Sequence, residues 1–247
     1  PRLGTTKVHV CPAFAANPPE YLIAVLPVAS LGAVVTTASP LYTQSDLAKQ
    51  LKDSGARLLF TSMTLAPTWG EALEGTAIEN TVAFDAPPAA PTPRKVVAFS
   101  ALAAAEGKTP RVAIDPGDLV ALPYSSGTTG LPKGVMLTHR NLVANILQAD
   151  SAGHFRHGED VTVAFLPFFH IYGLLVIVLL GLWSGATCVV MPKFELEPYL
   201  DLVERHRATL LHVVPPVVVA LAKHPAVAGR DFSSVRKLFS GAAPLGA

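Results

Sequence analysis

Residues 124–135 read Tyr-Ser-Ser-Gly-Thr-Thr-Gly-Leu-Pro-Lys-Gly-Val, which sets five hydroxyl side chains, three glycines and one lysine between two apolar runs. Glycines let successive backbone N–H groups converge on one point, hydroxyls add donors that rotate to suit, and a lysine adds a compact positive charge. Together they suit phosphate oxygens, and the chemistry this points to is the binding of a nucleoside triphosphate. The loop is not the P-loop of kinases and GTPases, which needs Gly-Lys-Ser/Thr, because Pro132 precedes Lys133 and Gly134 follows it. Taken alone, a Ser/Gly/Thr cluster also suits a plain flexible surface loop.

Three further side chains could do chemistry. His170 lies in Phe165-Leu166-Pro167-Phe168-Phe169-His170-Ile171-Tyr172-Gly173. It reads either as a satisfied histidine among aromatics or as a functional imidazole. Tyr172 is either core or the flat, apolar wall of an acyl pocket with a hydroxyl at its rim. Lys193, between Pro192 and Phe194, is either a solvated turn lysine or a point charge offered to a phosphate group.

The elements that must position these residues alternate between strand and helix, as in a mostly parallel sheet covered by helices on both faces. The pattern predicts a helix opened by Pro18 and Pro19, capped by Asn17 with Glu20 completing a box, kinked at Pro27 and ended at Gly32. A strand at 33–37, a helix at 44–54 stopped by Gly55 and a strand at 57–61 make a β-α-β unit within residues 1–65. Residues 66–117 read as a variable Ala/Pro-rich connection with one short strand at 81–85. In 118–247, strands are expected at 119–124, 135–137, 161–166, 186–191, 210–214 and 237–240. The helices expected there are one from about Arg140 capped by Thr138, and others near 171–183, 196–207 and 216–223. The loop 125–133, His170, Lys193 and the segment 241–244 then fall at carboxyl ends of strands, where open α/β sheets collect ligands, so one crevice could hold them all.

Composition narrows the function classes. A chain of 247 residues, 50% hydrophobic and 15% charged, can bury a substantial core. A net charge of +1 and the absence of basic runs offer nothing to nucleic acid. Cys11 and Cys188 show no metal-ligand spacing and no disulfide pattern. They fit a reducing compartment, cytoplasmic with a peroxisome as the alternative, and Cys188 is expected to be a buried thiol. The most apolar stretch, 173–183, is shorter than the ~20 residues of a membrane span and reads as a buried helix. Both ends of the chain read as interior points of a longer domain.

The string Ser125 to Val135 resembles the phosphate-binding signature of the adenylate-forming enzymes. With Phe169-His170-Ile171-Tyr172-Gly173, Met191-Pro192-Lys193-Phe194-Glu195, Val213-Val214-Pro215-Pro216 and Ser240-Gly241-Ala242-Ala243-Pro244-Leu245-Gly246, it is similar to 4-coumarate-CoA ligases and their relatives among acyl-CoA synthetases and luciferases. The resemblance is good over 17–61 and from Asp118 onward, and poor between. It implies that the chain is part of the large N-terminal α/β domain of an enzyme using ATP, Mg2+ and coenzyme A, which joins a hydroxycinnamate such as 4-coumarate to the coenzyme A thiol through an acyl-adenylate. Medium- or long-chain fatty acids and a luciferase-like reaction are the alternatives, and a non-catalytic nucleotide-binding remnant is the alternative of another class. By similarity, Ser125, Ser126, Gly127, Thr128, Thr129 and Lys133 hold ATP phosphates, and His170 lies beside the reacting carboxylate and α-phosphate. Tyr172, Gly241, Ala242 and Ala243 border the acyl-adenylate, and Lys193 meets coenzyme A. The family's magnesium glutamate, ribose aspartate, hinge and C-terminal catalytic lysine have no counterpart within 1–247, so no metal ligand is expected here and the chain by itself is expected to form no thioester.

Overall fold

The computed structural model describes residues 9–85, 95–106, 110–125 and 132–246. The chain divides into two compact units, Pro1–Leu142 and Val143–Ala247.

The first unit runs β1 (Val10–Phe14), α1 (Glu20–Ser30), β2 (Val34–Ala38), α2 (Gln44–Asp53), β3 (Leu58–Thr61), α3 (Ala66–Ala72), β4 (Asn80–Ala83), β5 (Val96–Ala98), α4 (Phe99–Ala103) and β6 (Leu119–Ala121). A two-residue pair, β7 (Tyr124–Ser125) and β8 (Lys133–Gly134), and the short β9 (Leu137–Thr138) follow. Among the described residues these strands make a sheet of order β5-β4-β3-β1-β2-β6-β9, parallel except at the β6–β9 edge, while β7 and β8 pair only with each other. Its core gathers Phe14, Leu47, Leu51, Leu59, Trp69, Leu73 and Ile78, which seats α2 and α3 on the sheet.

Several local expectations hold. Gly32, at φ 68°, ends α1 by donating its N–H to Ala29 O while Ala33 N–H donates to Val28 O, the paired bonds that close a helix through a left-handed glycine. Thr43, not singled out by the sequence pattern, starts α2: its Oγ1 accepts from the Asp46 N–H, and the Asp46 carboxylate accepts from the Thr43 N–H. Other expectations need correcting. Asn17, expected at the start of α1, is buried, and the chain is already helical at Pro19. The connection at 66–117 holds α3, β4, β5 and α4 among its described residues; the short helix α3 is anchored by the buried Trp69, whose Nε1–H donates to Ser62 O. Ala, Pro and Gly in that stretch hide the helix from a periodicity argument. The Ala/Pro-rich run 86–93 lies outside the described residues except for its flanks. The single strand expected at 135–137 is instead β8 and β9 on either side of Val135 and Met136.

The central strand β1 carries Pro12, a residue that argues against a central strand. The sheet accommodates it because β1 pairs with β2 along its whole length, whereas pairing with β3 runs only over Ala13↔Phe60 and Phe14↔Thr61, past the residue that lacks an N–H.

The second unit contains most of α5 (His139–Ser151), then β10 (Val161–Ala164), a π-helical segment (Tyr172–Leu179) running into α6 (Leu180–Trp183), β11 (Thr187–Val190), α7 (Leu196–Arg205), β12 (Leu210–Val213), α8 (Pro215–Lys223) and β13 (Lys237–Ser240). Thr138 caps α5 as expected, its Oγ1 accepting from the Asn141 N–H at 3.2 Å. The described strands form a parallel sheet of order β11-β10-β12-β13. Asp160, at the foot of β10, ties three of them together: it accepts from Thr209 Oγ1 and from Arg236 Nη2, each at 2.6 Å. The helix expected over 171–183 is present but wound as a π-helix over Tyr172–Leu179, and Gly173 in its first turn packs closely on Pro167 O.

Candidate functional site

In the first unit, β6 leads to Tyr124 and Ser125, which pair with Gly134 and Lys133 across the β7–β8 hairpin. Ser125 stands opposite Lys133 and Tyr124 opposite Gly134, so the hydroxyl and the ammonium expected to meet phosphate leave the hairpin side by side. Gly134 is closely packed here: a Cβ on it would lie 3.1 Å from Leu122 Cδ1 and 3.3 Å from Tyr124 Cζ. Ser126, Gly127, Thr128 and Thr129 lie outside the described residues.

In the second unit the expected residues occupy the carboxyl ends of the parallel strands: His170 after β10, Lys193 after β11 and Gly241–Ala243 after β13. A tight turn presents the exposed His170. Its N–H donates to Pro167 O at 3.1 Å, and its Nδ1 accepts from the Tyr172 N–H at 3.3 Å, which leaves Nε2 as the ring nitrogen aimed away from its own backbone. Tyr172 and Gly241 come together. A Cβ on Gly241 would stand 2.9 Å from Tyr172 Cε1, so the bare backbone lets the half-buried phenol lie against the strand end. Ala242 follows at φ 67°, a left-handed conformation that costs a non-glycine residue about 1–2 kcal/mol and is typical of backbone held for a ligand. Lys193 is 82% exposed and paired with Glu195 at 3.7 Å, so it offers a mobile charge at the rim. Behind it Phe194 packs on Phe165 and Tyr199.

Sequence reasoning missed His212. It sits fully buried in β12, its Nδ1 3.2 Å from Thr162 Oγ1 and its Nε2 without a hydrogen-bond partner among the described residues. Phe155 and Phe239 flank the ring at 5.4 Å each, and the edge of Tyr172 meets it at 6.3 Å. Burial, reinforced by the neighbouring His154 and opposed by Asp160, pushes its pKa down to about 4, so the ring is neutral. A histidine inside the apolar strand Leu210-Leu211-His212-Val213 was the visible signal.

Comparison with known proteins decides what this arrangement belongs to. The model of the family described as AMP-binding enzyme matches residues 2–247. The chain belongs to the AMP-binding enzyme family. It is 43% identical over 234 residues to 4-coumarate–CoA ligase 2 of Petroselinum crispum, covering 93% of this chain and 42% of that one. It is 42% identical over 251 residues to 4-coumarate–CoA ligase 3 of Arabidopsis thaliana, covering 99% and 44%. A long-chain-fatty-acid–CoA ligase (FadD1) of Archaeoglobus fulgidus superposes with a TM-score of 0.85 at 26% identity, over 98% of this chain and 48% of that one. ATP-bound MatB of Rhodopseudomonas palustris gives 0.82 at 25%, over 98% and 46%. The chain thus spans somewhat less than half the length of the relatives it matches.

As a member of this family, the chain shows a mixed α/β fold with mainly parallel sheets, as the sequence pattern predicts. No helix among the described residues is long and apolar enough to cross a membrane, and no group of three or more His, Cys, Asp or Glu among them is placed to hold a metal ion. Cys188 is only half-buried, and burial still pushes its thiol up to about 11, which leaves it a weak nucleophile.

Proposed function

We propose that this chain carries the phosphate loop and the acyl site of an ATP-dependent acid–thiol ligase acting on 4-coumarate or a similar hydroxycinnamate. The observation that carries this reading is identity above 40% to 4-coumarate–CoA ligases over more than nine-tenths of the chain. In the first step the substrate carboxylate attacks the α-phosphorus of ATP and pyrophosphate leaves. In the second the coenzyme A sulfur attacks the acyl carbon, its proton is lost and AMP leaves. Ser125, Ser126, Gly127, Thr128, Thr129 and Lys133 would hold phosphates, with Mg2+ neutralising part of their charge when bound. His170 would stand beside the reacting carboxylate, Tyr172 and Gly241–Ala243 would border the acyl group, and Lys193 would meet coenzyme A. Positioning and charge neutralisation are what such a transfer demands of a protein.

ATP–pyrophosphate exchange tests the reading without coenzyme A. Residues 1–247, grafted in place of the matching segment of the Petroselinum enzyme, are expected to support exchange that depends on 4-coumarate. Exchange driven only by long fatty acids would move the substrate to the class named for the Archaeoglobus neighbour. No exchange with any acid would sink the activity itself. In the same graft, Lys133→Ala is expected to raise the KM for ATP by ~10- to 100-fold, the effect of one charge-assisted contact. Lys193→Ala should leave exchange intact and raise the KM for coenzyme A in thioester formation. Equal loss of exchange in both variants would show that the two lysines do not serve separate steps.

A further inference from the structure

The helix α2 reaches the root of the glycine-rich loop at two points. Gln50 and Asp53 are three residues apart and so share one face of α2. Buried Gln50 donates from Nε2 to Thr36 Oγ1 and to Thr37 O, each at 3.0 Å, and Thr36 Oγ1 donates in turn to Leu122 O at 2.6 Å. One turn further on, the Tyr124 hydroxyl donates to the Asp53 carboxylate. The same stretch is held from the sheet, where the Leu122 N–H donates to Val35 O at 2.8 Å, and from beyond the loop, where the Val135 N–H donates to Pro123 O at 2.8 Å. The Tyr124 ring lies against Gly134, so the Asp53 contact pins both strands of the hairpin that presents Ser125 and Lys133.

We propose that Asp53 is a positioning residue for phosphate binding: through the Tyr124 hydroxyl it locks the β7–β8 hairpin onto α2, so that the loop meets the phosphates of ATP with its ends already placed. The proposal rests on the reading that this loop holds ATP. Holding Ser125 and Lys133 in place before the ligand arrives lowers the ordering cost of binding. Gln50 belongs to the buried framework under the loop, whereas Asp53 and Tyr124 make their contact at the surface, where it can be removed without opening the core.

The test is titration with Mg-ATP by calorimetry of the same graft of residues 1–247 into the Petroselinum enzyme, together with hydrogen exchange of residues 119–138 and thermal unfolding. Asp53→Ala and Tyr124→Phe are each expected to weaken binding by about three- to tenfold, the effect of one hydrogen bond. The double variant should be no weaker than either single one, since both changes break the same contact. Asp53→Asn should keep most of the affinity, because its amide oxygen still accepts from the phenol. Exchange at the hairpin should quicken in Asp53→Ala while the unfolding midpoint stays put. The proposal is overturned if Asp53→Ala binds Mg-ATP as wild type does, if the two losses multiply, if Asp53→Asn is as weak as Asp53→Ala, or if the loss tracks a fall in the unfolding midpoint. Failure of the otherwise unaltered graft to bind Mg-ATP would instead overturn the reading of the loop, and the proposal with it.

Discussion

Gly173→Ala is expected to destabilise the second unit by more than about 3 kcal/mol, the range reached when a core substitution overlaps atoms that cannot move aside. A Cβ at this position would lie 2.0 Å from Pro167 O, 2.6 Å from Pro167 C and 3.1 Å from Leu166 O. All three are backbone atoms, so no rotamer change relieves the clash. Pro167 O also accepts the His170 N–H, so the turn that presents the histidine is the one the first turn of the π-helix presses against. Relieving the overlap would move His170 and Tyr172 as well as cost stability. Gly241→Ala is the informative contrast. Its Cβ would meet Tyr172 Cε1 at 2.9 Å, a side chain that can swing, so stability should fall less while the phenol is displaced. Urea unfolding of the two variants decides the matter, and a midpoint for Gly173→Ala equal to that of the wild type would show that the turn is not packed as described.

His212 makes stability depend on pH in a defined window. In the folded chain its pKa lies near 4, against an ordinary value of 6.5, because burial strips the charged ring of water. Between those values the unfolded chain takes up a proton that the folded chain refuses. Stability is therefore complete above about pH 6.5, falls as the pH is lowered toward about 4, and levels off below that, with a drop of roughly 3 kcal/mol for a gap of about 2.5 units. Asp160 does not produce the same window. Burial works to raise its carboxyl, but bonds from Thr209, the Arg156 N–H and Arg236 hold it below the ordinary carboxylate value of 3.8. His212→Phe should flatten the curve between about pH 4 and 6.5 and leave an aromatic ring between Phe155 and Phe239. Equilibrium unfolding at a series of pH values measures this. A wild-type curve already flat across that window would mean that the imidazole is not buried and neutral.

Much of this architecture is legible along the chain, because the features involved are local. A strand declares itself by an apolar run between turn residues, and β13 lies at 237–240 as the pattern predicts. A helix end declares itself by a cap: Gly32 and Thr138 each act within a few residues of their own position. The glycine-rich loop is legible for the same reason, since one short stretch holds all the groups that would meet phosphate. What the chain does not declare depends on partners distant in sequence. Pro12 argues against a central strand until the structure shows that β1 pairs with β3 only beyond it. The run at 172–183 is apolar all round, so nothing in its order of residues separates an α-helix from the π-helix that a glycine pressed against Pro167 allows. His212 is an ordinary strand residue until three aromatic rings close around it, and Asp53 an ordinary surface acid until Tyr124, 71 residues away, comes to rest on it. Sequence alone determined which groups the protein offers as candidates for phosphate and where many of its strands and helix ends fall, because those depend on neighbours along the chain. Tertiary structure decided which polar groups are buried, which hydrogen bonds brace the loop and which glycines are indispensable, because each of those is set by atoms that only folding brings within a few ångströms.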